Sequence, residues 1–264
     1  MTTPILIAAA PAADTADEAL ALAPACQAAC DERPLCTRPL GNTLIAPRTA
    51  LFHQGITCPF VYRITEGCVC VFQALPDGRR QVIDVLGPGR LIGNALTGDA
   101  PSGAETLTFT RLEALDTSGA AERGAIEAAL RHMLTRSLAH ATLLGRKTAT
   151  ERVASALIDL AAQFRRRPRN ASTRRVTFTL YLTRADLADW LGLTLETVSR
   201  CLNAFKRDNV IAFDHPEVVT VKDMAALTAL AGGMTAGSHK DKRSSAGGAV
   251  VAPAVATAAT PAFA

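Results

Sequence analysis

The chain of 264 residues is 48% hydrophobic and 20% charged, the balance of a folded globular protein of one large or two medium domains, which excludes a mostly disordered one. Asp, Glu, Lys, Arg or Pro interrupts every apolar run before the eighteen or so residues that a bilayer-crossing helix needs, so a membrane span is excluded. A net charge of +4 favours an anionic partner only mildly, and the placement of the basic residues matters more than their sum.

Residues 1–25 are rich in Ala and Pro and read as a disordered tail. The opening apolar stretch ends in Ala10-Pro-Ala12 but has no basic residue before it, so it is not a secretion signal and the protein is expected in the cytoplasm. Without secretion, the seven cysteines argue against a disulfide framework. Three of them, Cys26-Gln-Ala-Ala-Cys30-Asp-Glu-Arg-Pro-Leu-Cys36, lie close enough together to suggest metal binding or redox chemistry. Short β-type runs follow: Phe60-Val-Tyr-Arg-Ile64, Cys68-Val-Cys-Val-Phe72 and Gln81-Val-Ile-Asp-Val85, punctuated by Gly55, Gly67, Gly78 and Gly87-Pro-Gly89. That spacing predicts an antiparallel barrel or jelly roll, placed with the cysteine-bearing segment in residues 26–118. Cys68 and Cys70, alternating on one expected strand, read as small buried hydrophobes.

From residue 120 the period changes. Ile126, Leu130, Met133, Leu134, Leu138 and Ala141 recur three or four apart, one stripe of a long helix over 120–146. A long apolar stripe leaving a barrel needs a partner, and a second copy of the chain is the expected one. A second helix follows from Glu151 to Phe164. Arg165, Arg166, Arg167, Arg169, Arg174 and Arg175 then fall within eleven residues, a run that by itself is a solvated loop.

Residues 148–232 carry the functional signal. Thr183 is placed to cap a helix with Leu187, Ala188 and Leu191 inward; Gly192 permits a sharp exit; Thr194 caps a second helix with Val198, Cys201, Leu202 and Phe205 inward. Val210–Phe213 and Glu217–Val221 flank Asp214-His-Pro216 as the hairpin of a wing. This is a winged helix-turn-helix, whose second helix enters the DNA major groove. Glu196, Thr197, Ser199, Arg200 and Asn203 project from its polar face. Arg pairs bidentately with guanine and Glu accepts from the cytosine amino group, while Thr183, Arg184 and the upstream arginines suit phosphate contacts. The bland alternative for Glu196 and Arg200, four residues apart, is a surface ion pair. Residues 235–264 return to Gly, Ser, Ala and Pro and read as a second disordered tail.

Over residues 40–232 the chain resembles the CRP/FNR superfamily of bacterial transcription regulators, in its FNR/FixK-type branch. The resemblance is carried by Leu51-Phe-His-Gln-Gly55, Tyr62-Arg-Ile-Thr-Glu-Gly67, Leu86-Gly-Pro-Gly-Arg-Leu-Ile-Gly93, the junction Leu143–Val153 and Leu193-Thr-Leu-Glu-Thr-Val-Ser-Arg200. It implies an α+β chain with a β-roll sensor domain, a dimerisation helix and a winged helix-turn-helix. It further implies a homodimer that reads inverted TTGAT-type half-sites through Glu196, Ser199 and Arg200, contacts RNA polymerase, and acts chiefly as an activator in response to oxygen limitation or redox state. Cys26, Cys30 and Cys36 are similar to the segment that gives three thiolates to a [4Fe–4S] cluster. The position of the fourth ligand falls near Arg111, where there is no Cys, leaving Cys58, Cys68 and Cys70 as substitutes. A cofactor-free FixK-like regulator, controlled by its expression level or by oxidation of a cysteine such as Cys201, is the alternative. Asn94 stands where cyclic-nucleotide-binding members have a Glu, and Pro101-Ser-Gly-Ala104 lacks their phosphate-binding Arg, so cAMP is not an expected ligand.

Other functional classes have less support. Gly87-Pro-Gly-Arg-Leu-Ile-Gly93 misses the dinucleotide spacing and lacks a surrounding βαβ pattern. His53, His132, His140, His215 and His239 show no metal or triad spacing, so no enzyme is expected. A protein-binding scaffold would leave the polar face of the second helix without a use.

Overall fold

The computed structural model describes residues 43–56, 60–93, 101–116, 119–166 and 175–233. Cys26, Cys30, Cys36, Cys58, Asn94, Arg167, Arg169, Arg174 and both terminal tails lie outside the described residues.

Eight strands build the first layer: β1 (Leu44–Ile45), β2 (Ala50–Phe52), β3 (Val61–Glu66), β4 (Val69–Ala74), β5 (Arg80–Leu86), β6 (Leu91–Ile92), β7 (Gly103–Thr106) and β8 (Thr110–Leu115). They pair antiparallel as two sheets, β1-β8-β3-β6 and β2-β7-β4-β5. Ile45, Leu51, Phe52, Tyr62, Ile64, Val69, Leu86, Ile92, Ala104 and Leu112 fill the space between them. This is the β-roll expected from the alternation and turn signals, the usual way an antiparallel sheet closes over one core. Gly67 turns β3 into β4 with φ 94°, and a Cβ there would lie 2.5 Å from the Phe109 carbonyl oxygen, so both conformation and space require glycine.

Helix α1 (Ala120–Arg146) is 27 residues long, or about 40 Å. None of its residues is buried; Leu134 and Leu138 of the predicted stripe are 62% and 63% exposed. It is tied to the roll by Arg136, whose Nε donates to Asp84 Oδ2 of β5 at 2.9 Å while Nη1 donates to Asp159 Oδ1 of the following helix at 2.7 Å, and by His132, whose ring accepts from Arg90.

Asp159 belongs to α2 (Ala149–Gln163). This helix begins two residues before Glu151 because Thr148 and Glu151 form a reciprocal capping box that satisfies its first free amides. Beyond it lie β9 (Val176–Thr179), α3 (Arg184–Leu191), α4 (Leu195–Arg207), β10 (Ile211–His215), β11 (Val218–Val221) and α5 (Met224–Ala231). The strands form the sheet β10-β11-β9. Helix α5, which the sequence patterning left unassigned, is capped by Asp223, whose side chain accepts from the Ala226 amide at 2.9 Å.

The helical domain does not stand apart from the roll. Cys68, Cys70, Val82 and Val85 join Leu157, Leu187, Leu191, Leu202 and Phe205 in one continuous buried cluster. The roll therefore has two apolar faces, one turned inward and one covered by helices.

Candidate nucleic-acid interface

Two short helices position the site. Thr183 precedes α3; its hydroxyl accepts from the Asp186 amide at 3.1 Å, and the Asp186 carboxylate accepts from the Thr183 amide at 2.9 Å. Leu187, Ala188 and Leu191 turn inward and are buried. Gly192 ends the helix in the left-handed region at φ 59°, with its amide on the Ala188 carbonyl, the C-terminal geometry that glycine adopts without strain. Two residues later Thr194 caps α4 by accepting from the Thr197 amide at 3.2 Å. Val198, Cys201, Leu202 and Phe205 then form the buried stripe of α4.

The opposite face of α4 is open. Glu196 and Arg200 have side chains 78% and 81% exposed and form an ion pair at 3.4 Å, the surface pair considered from their spacing. At that exposure the pair contributes little, so both groups are free to exchange it for other partners. Thr197 and Ser199 are half-buried beside them and Asn203 is exposed. Lys206 and Arg207 occupy the last turn of α4, where positive charge is favoured by the helix dipole.

Thr183 and Arg184 lie at the start of α3, next to the wing. The Thr183 hydroxyl is committed to Asp186, donating to Oδ2 at 2.7 Å, although the residue as a whole is exposed. The Arg184 guanidinium stacks 4.7 Å from the centre of the Phe213 ring on β10. One of its nitrogens is buried without a hydrogen-bond partner, and burial lowers its pKa from the ordinary value. Of the upstream basic run, Arg165, Arg166 and Arg175 are described and exposed, with the Arg166 amide donating to the Thr177 carbonyl at 2.8 Å.

The described cysteines sit elsewhere. Cys68 and Cys70 are fully buried between the roll and the helices. Burial pushes the Cys68 thiol well up and the Cys70 thiol up to about 12, so neither is a thiolate at neutral pH. Cys201 faces inward from α4. Among the described residues no group of His, Cys, Asp and Glu has the arrangement of a metal site. Arg111 lies opposite Leu44 across the β1–β8 pair and forms an ion pair with Glu66 at 3.2 Å.

A junction not foreseen from the sequence joins roll and helices. Asp186, 2% exposed, receives Arg48 Nη2 at 2.6 Å and Arg80 Nη2 at 2.5 Å. Arg80 also reaches Asp189 Oδ2 at 2.9 Å and Glu105 Oε1 at 2.7 Å. Burial alone would raise the pKa of Asp186, but hydrogen bonds from Arg48 and Thr183 outweigh it and hold the carboxyl below its ordinary value. Nearby, His140 of α1 stacks on Trp190 of α3 with ring centres 6.3 Å apart. Its Nε2 is buried without a partner, and burial lowers its pKa.

Comparison with known proteins agrees with this architecture. The Crp-like helix-turn-helix domain matches residues 151–230, and the cyclic nucleotide-binding domain matches residues 44–122. The nitrogen fixation regulation protein FixK of Rhizobium meliloti is 31% identical over 194 residues, covering 72% of this chain and 88% of that protein. The transcriptional activator protein FnrL of Cereibacter sphaeroides is 35% identical over 188 residues, covering 68% and 75%. The structure of FixK2 from Bradyrhizobium japonicum superposes with a TM-score of 0.64 at 26% identity, covering 71% of this chain and 95% of that one.

Proposed function

This chain belongs to the CRP/FNR family, in its FNR/FixK branch, and from that premise we propose that it is a homodimeric, sequence-specific activator of transcription that responds to oxygen limitation. The observation that carries the proposal is the recognition helix α4, whose buried stripe is complete while Glu196 and Arg200 stand in solvent. Arg200 pairs with guanine O6 and N7, Glu196 accepts from the cytosine amino group, and Ser199 and Thr197 contact bases or phosphate. Thr183 and Arg184 lie against the phosphates and set the register. The partner is double-stranded DNA with inverted TTGAT-type half-sites. The exposed stripe of α1 meets its copy along the two-fold axis, and RNA polymerase is the second macromolecular partner. A regulator of this kind needs no catalytic group and works in the cytoplasm.

The test is fluorescence anisotropy on an inverted TTGAT palindrome. Arg200→Ala is expected to weaken binding by about 1–3 kcal/mol, roughly fivefold to more than a hundredfold. Equal affinity of the variant and the wild type refutes the base-contact assignment.

A second reading, an oxygen sensor holding a [4Fe–4S] cluster, is motivated by Cys26, Cys30 and Cys36. Such a cluster takes four thiolates. The described cysteines do not fit the fourth place: Cys68 and Cys70 are fully buried in the junction between the roll and the helices, and Cys201 is on the recognition helix. Of the cysteines considered for that place, Cys58 alone lies outside the described residues. The reading without a cyclic nucleotide rests on the sequence Pro101-Ser-Gly-Ala104, which has no arginine to pair with a phosphate. Protein purified without oxygen separates the readings. About four irons and a thiolate-to-iron band bleaching in air favour the cluster, whereas iron-free protein that binds the palindrome favours the cofactor-free regulator.

A further inference from the structure

Lys147 and Thr148 alone separate the C-terminal end of α1 from the start of α2, and both have extended backbones. In a dimer built on α1, that two-residue link is where the helix-turn-helix would pivot. Two half-sites are read together only if the two recognition helices sit one DNA turn apart, about 34 Å. The contacts that prevent pivoting therefore decide which spacing of half-sites is read.

Part of the bracing is local. Arg152 donates to the Leu144 carbonyl at 2.7 Å and to the Leu191 carbonyl at 2.9 Å, stitching α1 to the end of α3. The rest comes from the roll. Arg80, the first residue of β5, spreads its three nitrogens over Asp189, Glu105 and Asp186. Arg48, in the left-handed region at φ 59°, adds Glu105 and Asp186. Gln81 donates to the Asp189 carbonyl at 2.7 Å. None of these contacts engages Glu196 or Arg200, which stay exposed in the braced state.

We infer that Arg80, assisted by Arg48, is a positioning residue for DNA recognition: through Asp186 and Asp189 it clamps the helix-turn-helix to the roll and thereby sets the half-site spacing the dimer accepts. The clamp needs no bound effector, since every group in it belongs to the chain. It rests on the reading of the protein as a dimer that reads an inverted repeat. Planar, multidentate arginine suits this task because its fork fixes direction as well as distance, which the single ammonium of lysine does not. Losing the clamp leaves the recognition helix intact but lets its orientation spread, and the apparent affinity falls with the fraction of molecules in the competent orientation.

The experiment compares wild type, Arg80→Gln and Asp189→Asn on three DNAs: the palindrome, the same palindrome with two base pairs added between the half-sites, and a single half-site. Light scattering checks that each variant is dimeric, and circular dichroism that it is folded. Asp189, 35% exposed on its side chain and outside the capping box, is the variant that decides if Arg80→Gln does not fold. Expected is a loss of about tenfold on the palindrome and little change on the single half-site, so that discrimination between the two spacings shrinks. Unchanged spacing discrimination in a folded dimeric variant overturns the inference, and so does an equal loss on the single half-site. If the wild type itself shows no preference for the palindrome, it is the underlying reading of a dimeric DNA-binding regulator that fails.

Discussion

The stripe on α1 allows the dimer to be tested with numbers. Burying a leucine side chain that was fully exposed contributes about 1.5–3 kcal/mol. Leu134 and Leu138 retain 62% and 63% exposure in the single chain, leaving about 1–2 kcal/mol for each to gain against a partner helix. A two-fold axis places four such side chains in the interface, so Leu134→Ser with Leu138→Ser removes about 4–7 kcal/mol per dimer. That raises the dimer dissociation constant by about three to five powers of ten. Loss of helix propensity adds only about half a kcal/mol per site, and it acts on the single chain as well as on the dimer. Sedimentation equilibrium across a wide concentration range measures the change directly. The variant is expected to be monomeric at micromolar concentration yet folded by circular dichroism, with a melting transition lower than that of the wild-type dimer and no longer dependent on concentration. A variant that stays dimeric at the wild-type concentration shows that α1 does not carry the interface, and the role assigned to the stripe then falls.

Two further predictions come from the helical domain. Because partial burial lowers the pKa of His140, its contribution to docking of α1 on Trp190 is complete above its ordinary value of about 6.5 and is lost as pH falls through the lowered value. Emission of Trp190, the single tryptophan of the chain, is therefore expected to shift on acidification from pH 7.5 to 5, and the shift is expected to vanish in His140→Phe; persistence in that variant rules out His140 as its source. Gly192→Ala places a Cβ on a backbone at φ 59°, 3.4 Å from Leu144 Cδ2, and is expected to cost on the order of 1–2 kcal/mol in chemical denaturation; a neutral result shows that the turn relaxes.

The helix-turn-helix was legible in the sequence because its determinants are local. Thr183 before an apolar period announces an N-cap, and the structure adds Asp186 as its reciprocal partner. Gly192 marks a left-handed exit, and the period of Val198, Cys201, Leu202 and Phe205 gives the buried face directly. The burial of Cys68 and Cys70 was equally readable, but not what covers them. The junction escaped notice because its partners are far apart in sequence: Arg80 and Asp186 are separated by 106 positions, Arg48 and Asp186 by 138. Arg80 and Gln81 at the start of β5 look like the polar flank of the Pro76-Asp-Gly78 turn, and Arg136 looks like the solvated side of α1. Nothing local distinguishes a charge facing water from one facing a carboxylate on another domain. Asp84 was the nearest to a signal, an acid inside an otherwise apolar strand, and its partner is Arg136.

The composition of the junction also explains why it can orient the reader domain without fusing it to the roll. Breaking a buried ion pair by removing one partner costs about 3–5 kcal/mol, because the remaining charge is left uncompensated. Separation of the two domains does not leave that situation. Asp186 keeps the amide and hydroxyl of Thr183, and Arg48 and Arg80 keep Glu105 on the roll itself. Each half carries its own partial neutralisation, so undocking costs only the shared contacts and the apolar cover over Cys68, Cys70 and Val82. Such a joint is directional when closed and reversible when strained, the two properties that the proposed clamp on half-site spacing requires.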